Sequence, residues 1–70
     1  SEEQVTMDFA FATIVSIKDI KKGDIFTEDN IWVKRPGTGE IKAKHYRDVL
    51  DTHATRDIKN DEHLLWSDIV

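Results

Sequence analysis

Cysteine is missing from this 70-residue sequence, and glycine occurs only three times and proline and methionine once each. Without cysteine there can be neither a disulfide framework nor a thiolate zinc site. No apolar run approaches the roughly 20 residues that a membrane-spanning helix needs. The start, Ser1-Glu2-Glu3-Gln4, has no basic stretch of the kind that opens a signal peptide. A cytoplasmic protein without membrane contact is therefore expected. An excess of positive charge is also lacking: ten Lys and Arg face fourteen Asp and Glu, for a net charge of −4. The longest basic clusters are the pairs Lys21-Lys22 and Lys34-Arg35, which excludes the basic face with stacking aromatics that nucleic-acid modules present. Length completes the exclusions. A chain near this size buries only about 60% of its unfolded surface, so one small domain with a thin core is expected. Such a chain reads as a non-catalytic module serving a larger protein.

What is present is a series of short β-branched segments separated by turns. Residues 1–12 are read as a linker or cut chain end, and residues 13–70 as the domain. Phe11 to Ile17 carries a strand signal in Thr13, Ile14, Val15 and Ile17. Lys21-Lys22-Gly23-Asp24 predicts a tight turn, after which Ile25 and Phe26 are expected to return to the core. Thr27-Glu28-Asp29-Asn30 opens on an N-cap residue and suits one helical turn. Ile31-Trp32-Val33-Lys34 reads as a second strand. It ends in Arg35-Pro36-Gly37-Thr38-Gly39, which holds the sole proline and two of the three glycines and so predicts a loop with a demanding backbone. Ala43 to Leu50 predicts a helix with a stripe of Tyr46, Val49 and Leu50. Ala54 to Ile58 reads as extended, followed by a turn and a closing apolar segment, Leu64 to Ile69.

Residues 18–31 align without gaps onto residues 56–69, an offset of 38. Asp19/Asp57, Ile20/Ile58, Lys21/Lys59 and Ile31/Ile69 are identical, and Lys18/Arg56, Asp24/Glu62, Phe26/Leu64 and Asn30/Asp68 are chemically alike. Asn60-Asp61 stands where the first copy has Lys22-Gly23, and both tolerate left-handed backbone better than other non-glycines. An internal pseudo-twofold repeat is expected on these grounds.

Candidate chemistry is sparse. His45, His53 and His63 are eight and ten residues apart, which supplies no helical or strand pair of metal ligands, so exposed histidines are expected. No serine sits in a nucleophile motif. Glu28-Asp29 and Asp61-Glu62 read as solvated turn and capping residues, because acid–base chemistry needs a sheltered cleft that so thin a chain has little room to form. Trp32 and Trp66 read as core or interface aromatics. No catalytic residue and no metal ligand is assigned. Arg35 stands apart, because restricted backbone on either side lets a loop guanidinium project toward carboxylate, carbonyl or phosphate oxygens. By itself a solubilising surface arginine is the commoner case.

What surrounds Arg35 changes that balance. The ordered series Lys18-Asp19-Ile20-Lys21-Lys22-Gly23-Asp24, Thr27-Glu28-Asp29-Asn30-Ile31, Lys34-Arg35-Pro36-Gly37-Thr38-Gly39, Tyr46, Leu50 and Ala54-Thr55-Arg56-Asp57-Ile58 resembles the C-terminal antifreeze-like (SAF) domain of bacterial sialic acid synthases and their legionaminic and pseudaminic acid relatives. The resemblance covers residues 13–70. It implies a mostly β, compact β-clip fold of short strands and short helical turns with an internal pseudo-twofold. It further implies a parent enzyme whose barrel domain condenses phosphoenolpyruvate with an N-acetylated amino sugar. That barrel uses a divalent metal, usually manganese, and no cofactor falls to this chain. In the resembling enzymes the SAF domain covers the barrel mouth of the neighbouring subunit in a swapped homodimer, and the arginine of the Lys-Arg-Pro-Gly motif contacts the acyl group of the sugar. By motif position that arginine is Arg35, supported by Lys34, Pro36, Gly37, Thr38 and Gly39.

The sequence departs from the pattern at Phe11-Ala12-Thr13, where an Arg-Arg-Ser run is common, and at Asp51 and Asp61, where glycine is common. The residues after Gly39, Glu40-Ile41-Lys42, replace an Ile-Pro start, so a less rigid loop is expected. Type III antifreeze proteins of fish resemble the same domain, but Lys18, Lys21, Lys22, Asp24, Glu28 and Asp29 place hydrated charge where an ice-binding face needs few charges. An SAF interaction module of a pilus or flagellar assembly protein is the remaining alternative, and the Lys34–Gly37 and Ala54–Ile58 motifs fit it less well.

Overall fold

The computed structural model describes residues 11–70. Two short strands, β1 (Thr13–Ser16) and β2 (Ile31–Lys34), form an antiparallel pair with Thr13 opposite Lys34 and Ser16 opposite Ile31. A 3-10 turn at Ala43–His45 runs into a single α-helical turn, α1 (Tyr46–Val49), and a second 3-10 turn occupies Trp66–Asp68. The rest is held by isolated bridges: Thr13 with Lys42, Val15 with His63, Ile20 with Ile58, Ile25 with His53 and Ala54 with Ile69. Segments 1–10 of the expected linker lie outside the described residues.

β1 is the centre of the molecule. All four of its residues are buried, because β2 lies along one edge while the Glu62–Leu64 and Ile41 backbones lie along the other. The Ile14 amide donates to the Ile41 carbonyl at 3.0 Å, the Leu64 amide to the Ile14 carbonyl at 3.0 Å, and the Ser16 amide to the Glu62 carbonyl at 2.8 Å. Ser16 can be buried because its hydroxyl is satisfied, donating to the Lys59 carbonyl and accepting from the Glu62 amide at 2.9 Å. Around this strand Ile14, Ile20, Phe26, Ile31, Ile41, Tyr46, Val49, Ala54, Ile58 and Leu64 form one core. Each large apolar side chain taken from water there stabilises the fold by about 1.5–3 kcal/mol.

The segments aligned at an offset of 38 carry the same hydrogen bonds. The Lys21 amide donates to Asp24 Oδ2 at 3.0 Å, and the Lys59 amide to Glu62 Oε1 at 3.0 Å. The Lys22 amide reaches Asp57 Oδ1 at 2.8 Å, and the Asn60 amide reaches Asp19 Oδ1 at 2.9 Å. Thr27 donates to Asn30 Oδ1 at 2.8 Å, and Leu65 to Asp68 Oδ2 at 2.9 Å. Ile20 and Ile58 exchange both backbone bonds at 2.7 Å. The carboxylates and amide shared by the two segments are thus turn closers, which is why their chemical type matches while the intervening residues differ. Gly23 has φ of 91° and Asp61, at the same place in the second segment, φ of 66°.

Three readings need correction. Ile25 is not core: successive residues of an extended segment face opposite sides, so burying Phe26 fully leaves Ile25 47% exposed. Of the two alternatives for Trp32 and Trp66, core or interface, an exposure of 45% each removes the core. The helix predicted over Ala43–Leu50 begins as a 3-10 turn and stops at Val49, because Leu50 is extended (ψ 141°) and Asp51 has φ of 72°. Finally, His45 and His63 are half-buried and only His53 is exposed.

Candidate functional site: the Arg35 loop

The loop that follows β2 is shaped by what it rests on. The Arg35–Pro36 peptide is cis, and the Pro36 carbonyl accepts the Thr38 amide at 3.0 Å. Gly37 lies so close to the Phe11–Ala12 backbone that a Cβ there would be driven into the Phe11 carbonyl. Gly39 lies against His63, and a Cβ there would come within 2.6 Å of His63 Nδ1. The two glycines are therefore required by close approach, one to backbone and one to a ring.

Polar contacts fix the same loop from beneath. The Gly39 amide donates to Thr13 Oγ1 at 3.1 Å, Thr13 Oγ1 lies 3.3 Å from His63 Nδ1, and His63 Nε2 lies 3.3 Å from Thr38 Oγ1. Thr13 is fully buried, whereas Thr38 is exposed. At the near end, Lys34 Nζ pairs with Asp61 Oδ1 at 2.9 Å; both are exposed, which limits the pair to about 1 kcal/mol or less. At the far end, Glu40 Oε2 accepts the Trp66 amide at 2.8 Å, capping the last 3-10 turn across 26 residues of sequence. Glu40 thus tethers the end of the loop that was expected to be less rigid. Arg35 itself is exposed, and among the described residues no hydrogen bond or ion pair engages its guanidinium. The structure so brings together Lys34, Pro36, Gly37, Thr38 and Gly39 as a braced support from which Arg35 projects.

The other motif arginine is placed quite differently. Arg56 Nε donates to Asp68 Oδ1 at 2.8 Å and its Nη2 reaches Oδ2 at 3.4 Å, while the Asp68 side chain is only 2% exposed. Arg56 is a structural residue that holds a buried capping carboxylate.

Sequence reasoning missed Thr13, His63 and Glu40 as loop supports. Their partners lie 24 to 50 residues away, beyond any local pattern, so no signal in the sequence points to them. Asp68 had one: its alignment with Asn30, another side-chain acceptor closing a turn.

Between Thr27–Asp29 and Leu50–Asp51 lies an open depression of roughly 370 Å³, rimmed by the exposed carboxylates of Glu28, Asp29 and Asp51. Among the described residues no three His, Cys, Asp or Glu side chains converge as a metal site. No helix among the described residues is long and apolar enough to cross a membrane.

These features define a small antiparallel β domain with a braced, arginine-bearing loop. The SAF domain family matches residues 11–70, so the chain belongs to that family. It is 43% identical over 60 residues to the N,N'-diacetyllegionaminic acid synthase of Campylobacter jejuni, covering 86% of this chain and 18% of that protein. It is 37% identical over 68 residues to the pseudaminic acid synthase of the same organism, covering 96% and 20%. The crystal structure of the spore coat polysaccharide biosynthesis protein SpsE of Bacillus subtilis superposes on the whole chain with a TM-score of 0.76 at 33% identity, over 20% of its own length. The chain thus spans about a fifth of the length of the proteins it is similar to.

Proposed function

We propose that this chain is the C-terminal, non-catalytic lid domain of a cytoplasmic nonulosonic acid synthase, and that Arg35 is its substrate-contacting residue. The parent condenses phosphoenolpyruvate with an N-acetylated amino sugar in a barrel domain that holds the divalent metal. The lid covers the barrel mouth of the neighbouring subunit in a swapped homodimer. Its contribution is positional: it excludes water and presents a guanidinium to the acyl oxygen of the sugar, without forming or breaking bonds itself.

The observation that carries this reading is the contrast between the two motif arginines. Arg56 is consumed by a buried carboxylate, whereas Arg35 projects from a loop pinned at Gly37, Gly39, Thr38 and Glu40 with no partner among the described residues. An exposed guanidinium on a loop held in this way is placed to meet a carboxylate or carbonyl oxygen outside the domain. The family membership supplies the context: the relatives named above are synthases of legionaminic and pseudaminic acid.

We also propose that the domain is a pseudo-twofold β-clip whose axis passes near the reciprocal Ile20–Ile58 bridge. Its support is the recurrence, 38 residues apart, of three side-chain turn closures and of the paired bridges Ile25–His53 and Val15–His63.

The test is steady-state kinetics of the full-length protein carrying Arg35→Ala, with amino sugar and phosphoenolpyruvate varied separately. One lost charge-assisted hydrogen bond of about 1.5–3 kcal/mol lowers kcat/KM for the sugar by roughly 10- to 100-fold. The phosphoenolpyruvate KM and the dimer should survive. An unchanged kcat/KM for the sugar sinks the lid-arginine reading.

A further inference from the structure

The hydrogen atoms of the network beneath the loop can be counted. Thr13 Oγ1 accepts the Gly39 amide and carries one proton of its own. Thr13 is fully buried, so that proton needs an acceptor inside the protein, and the neighbour within reach is His63 Nδ1 at 3.3 Å. Nδ1 must then be the unprotonated nitrogen, which puts the ring hydrogen on Nε2, 3.3 Å from Thr38 Oγ1. Were Nδ1 protonated instead, Thr13 Oγ1 would receive two donors and its own hydroxyl would point at nothing. With Nε2 donating, Thr38 Oγ1 is an acceptor on its inner side, and its proton is left to be given away on the exposed side of the loop.

We propose that His63, held as its Nε2–H tautomer between Thr13 and Thr38, is a positioning residue for the Arg35 loop and turns the Thr38 hydroxyl into a second outward hydrogen-bond donor beside that arginine. The inference rests on the lid reading above and adds to it a recognition rule. A guanidinium and a hydroxyl proton in one five-residue loop form a donor-rich face, suited to an oxygen acceptor such as an acyl carbonyl or carboxylate. The relay runs from a buried β1 threonine to the surface, so the chemistry of the loop face is set by the core strand beneath it.

Two measurements test this. Long-range proton–nitrogen correlation spectra of the 70-residue chain read the His63 tautomer directly; Nε2–H with bare Nδ1 is expected, and a ring protonated at Nδ1 overturns the proposal. Kinetics of the full-length protein then use Thr38→Val, an exposed change that leaves the core intact, and His63→Phe, which keeps a ring against Gly39. Each should raise KM for the amino sugar about three- to tenfold, the size of one neutral hydrogen bond, with kcat and the phosphoenolpyruvate KM unchanged. Thr38→Ser should restore the value. Both effects should vanish in an Arg35→Ala background, because the donors act on one group as a unit. Effects that simply add to that of Arg35→Ala, or a serine that fails to rescue, overturn the His63 proposal alone. An inert Arg35→Ala overturns the lid reading and this use of His63 with it.

Discussion

At the scale of single residues, the backbone decides more than the side chains do. Gly37 is fixed by its approach to the Phe11 carbonyl, a backbone group that cannot rotate away. Gly37→Ala is therefore expected to displace the loop and cost about 1–3 kcal/mol, the range for overpacking a site that cannot relax. Denaturant melts give the stability, and amide shifts confined to residues 35–39 and 11–12 locate the strain. Asp51 presents the opposite case. It has φ of 72°, its amide donates to the Phe26 carbonyl at 2.9 Å, and its side chain is exposed. Asp51→Gly keeps the amide bond and removes the left-handed penalty, partly offset by the greater freedom of glycine in the unfolded chain. A gain of up to about 1 kcal/mol is expected, read as a rise in Tm of a few degrees. A loss of stability would mean that the Asp51 carboxylate, and not its backbone, matters at that turn.

At the scale of elements, the turns carry the specificity that longer helices and strands supply elsewhere. Thr27 shows how. The Asp29 amide donates to Thr27 Oγ1 at 3.2 Å while the Thr27 amide donates to Asn30 Oδ1, a reciprocal closure within four residues. The equivalent closure at Leu65–Asp68 uses a carboxylate, and a buried carboxylate needs a cation. Arg56 supplies it at 2.8 Å. Arg56→Ala leaves Asp68 charged and enclosed with only the Leu65 amide, at a cost of about 2–3 kcal/mol once the half-exposed Arg56 side is discounted. Arg56→Ala, Asp68→Asn should be more stable than Arg56→Ala alone, because the amide can stay neutral while still closing the turn. If the single change costs nothing, the pair is an exposed ornament and the last turn is held by packing.

The same elements explain what could be read in advance. β2, the Lys21–Asp24 turn and the Thr27 cap were legible because each is written in adjacent residues: a β-branched run, a glycine, a capping threonine. The exposure of Ile25 was not, because strand-like alternation names two faces without saying which one is covered. Nor was the floor of the loop, since Thr13 meets Gly39 and His63 only after the chain has folded across itself.

At the scale of the whole molecule, a thin core leaves stability small, on the order of 4–10 kcal/mol at the usual 0.05–0.15 kcal/mol per residue. A buried group whose pKa is shifted by folding is then visible in the pH dependence, and Tyr46 is such a group. Its hydroxyl donates to the Ile31 carbonyl at 3.3 Å, and its ring meets Trp32 edge to face at 5.3 Å. Desolvation by burial, and secondarily the negative charge of Glu28, push its pKa above the ordinary 10.0. The folded state therefore holds the phenol proton more tightly than the unfolded chain does. By linkage, the stability this contributes is complete below about pH 10 and is lost as pH rises through the higher folded value. Urea melts above pH 10 should show a falling free energy of unfolding whose slope is reduced in Tyr46→Phe. At neutral pH that variant should lose only about 1 kcal/mol, the net worth of one neutral hydrogen bond. If its alkaline slope equals that of the parent chain, deprotonation of lysines governs the limb and Tyr46 ionises only after the domain has opened.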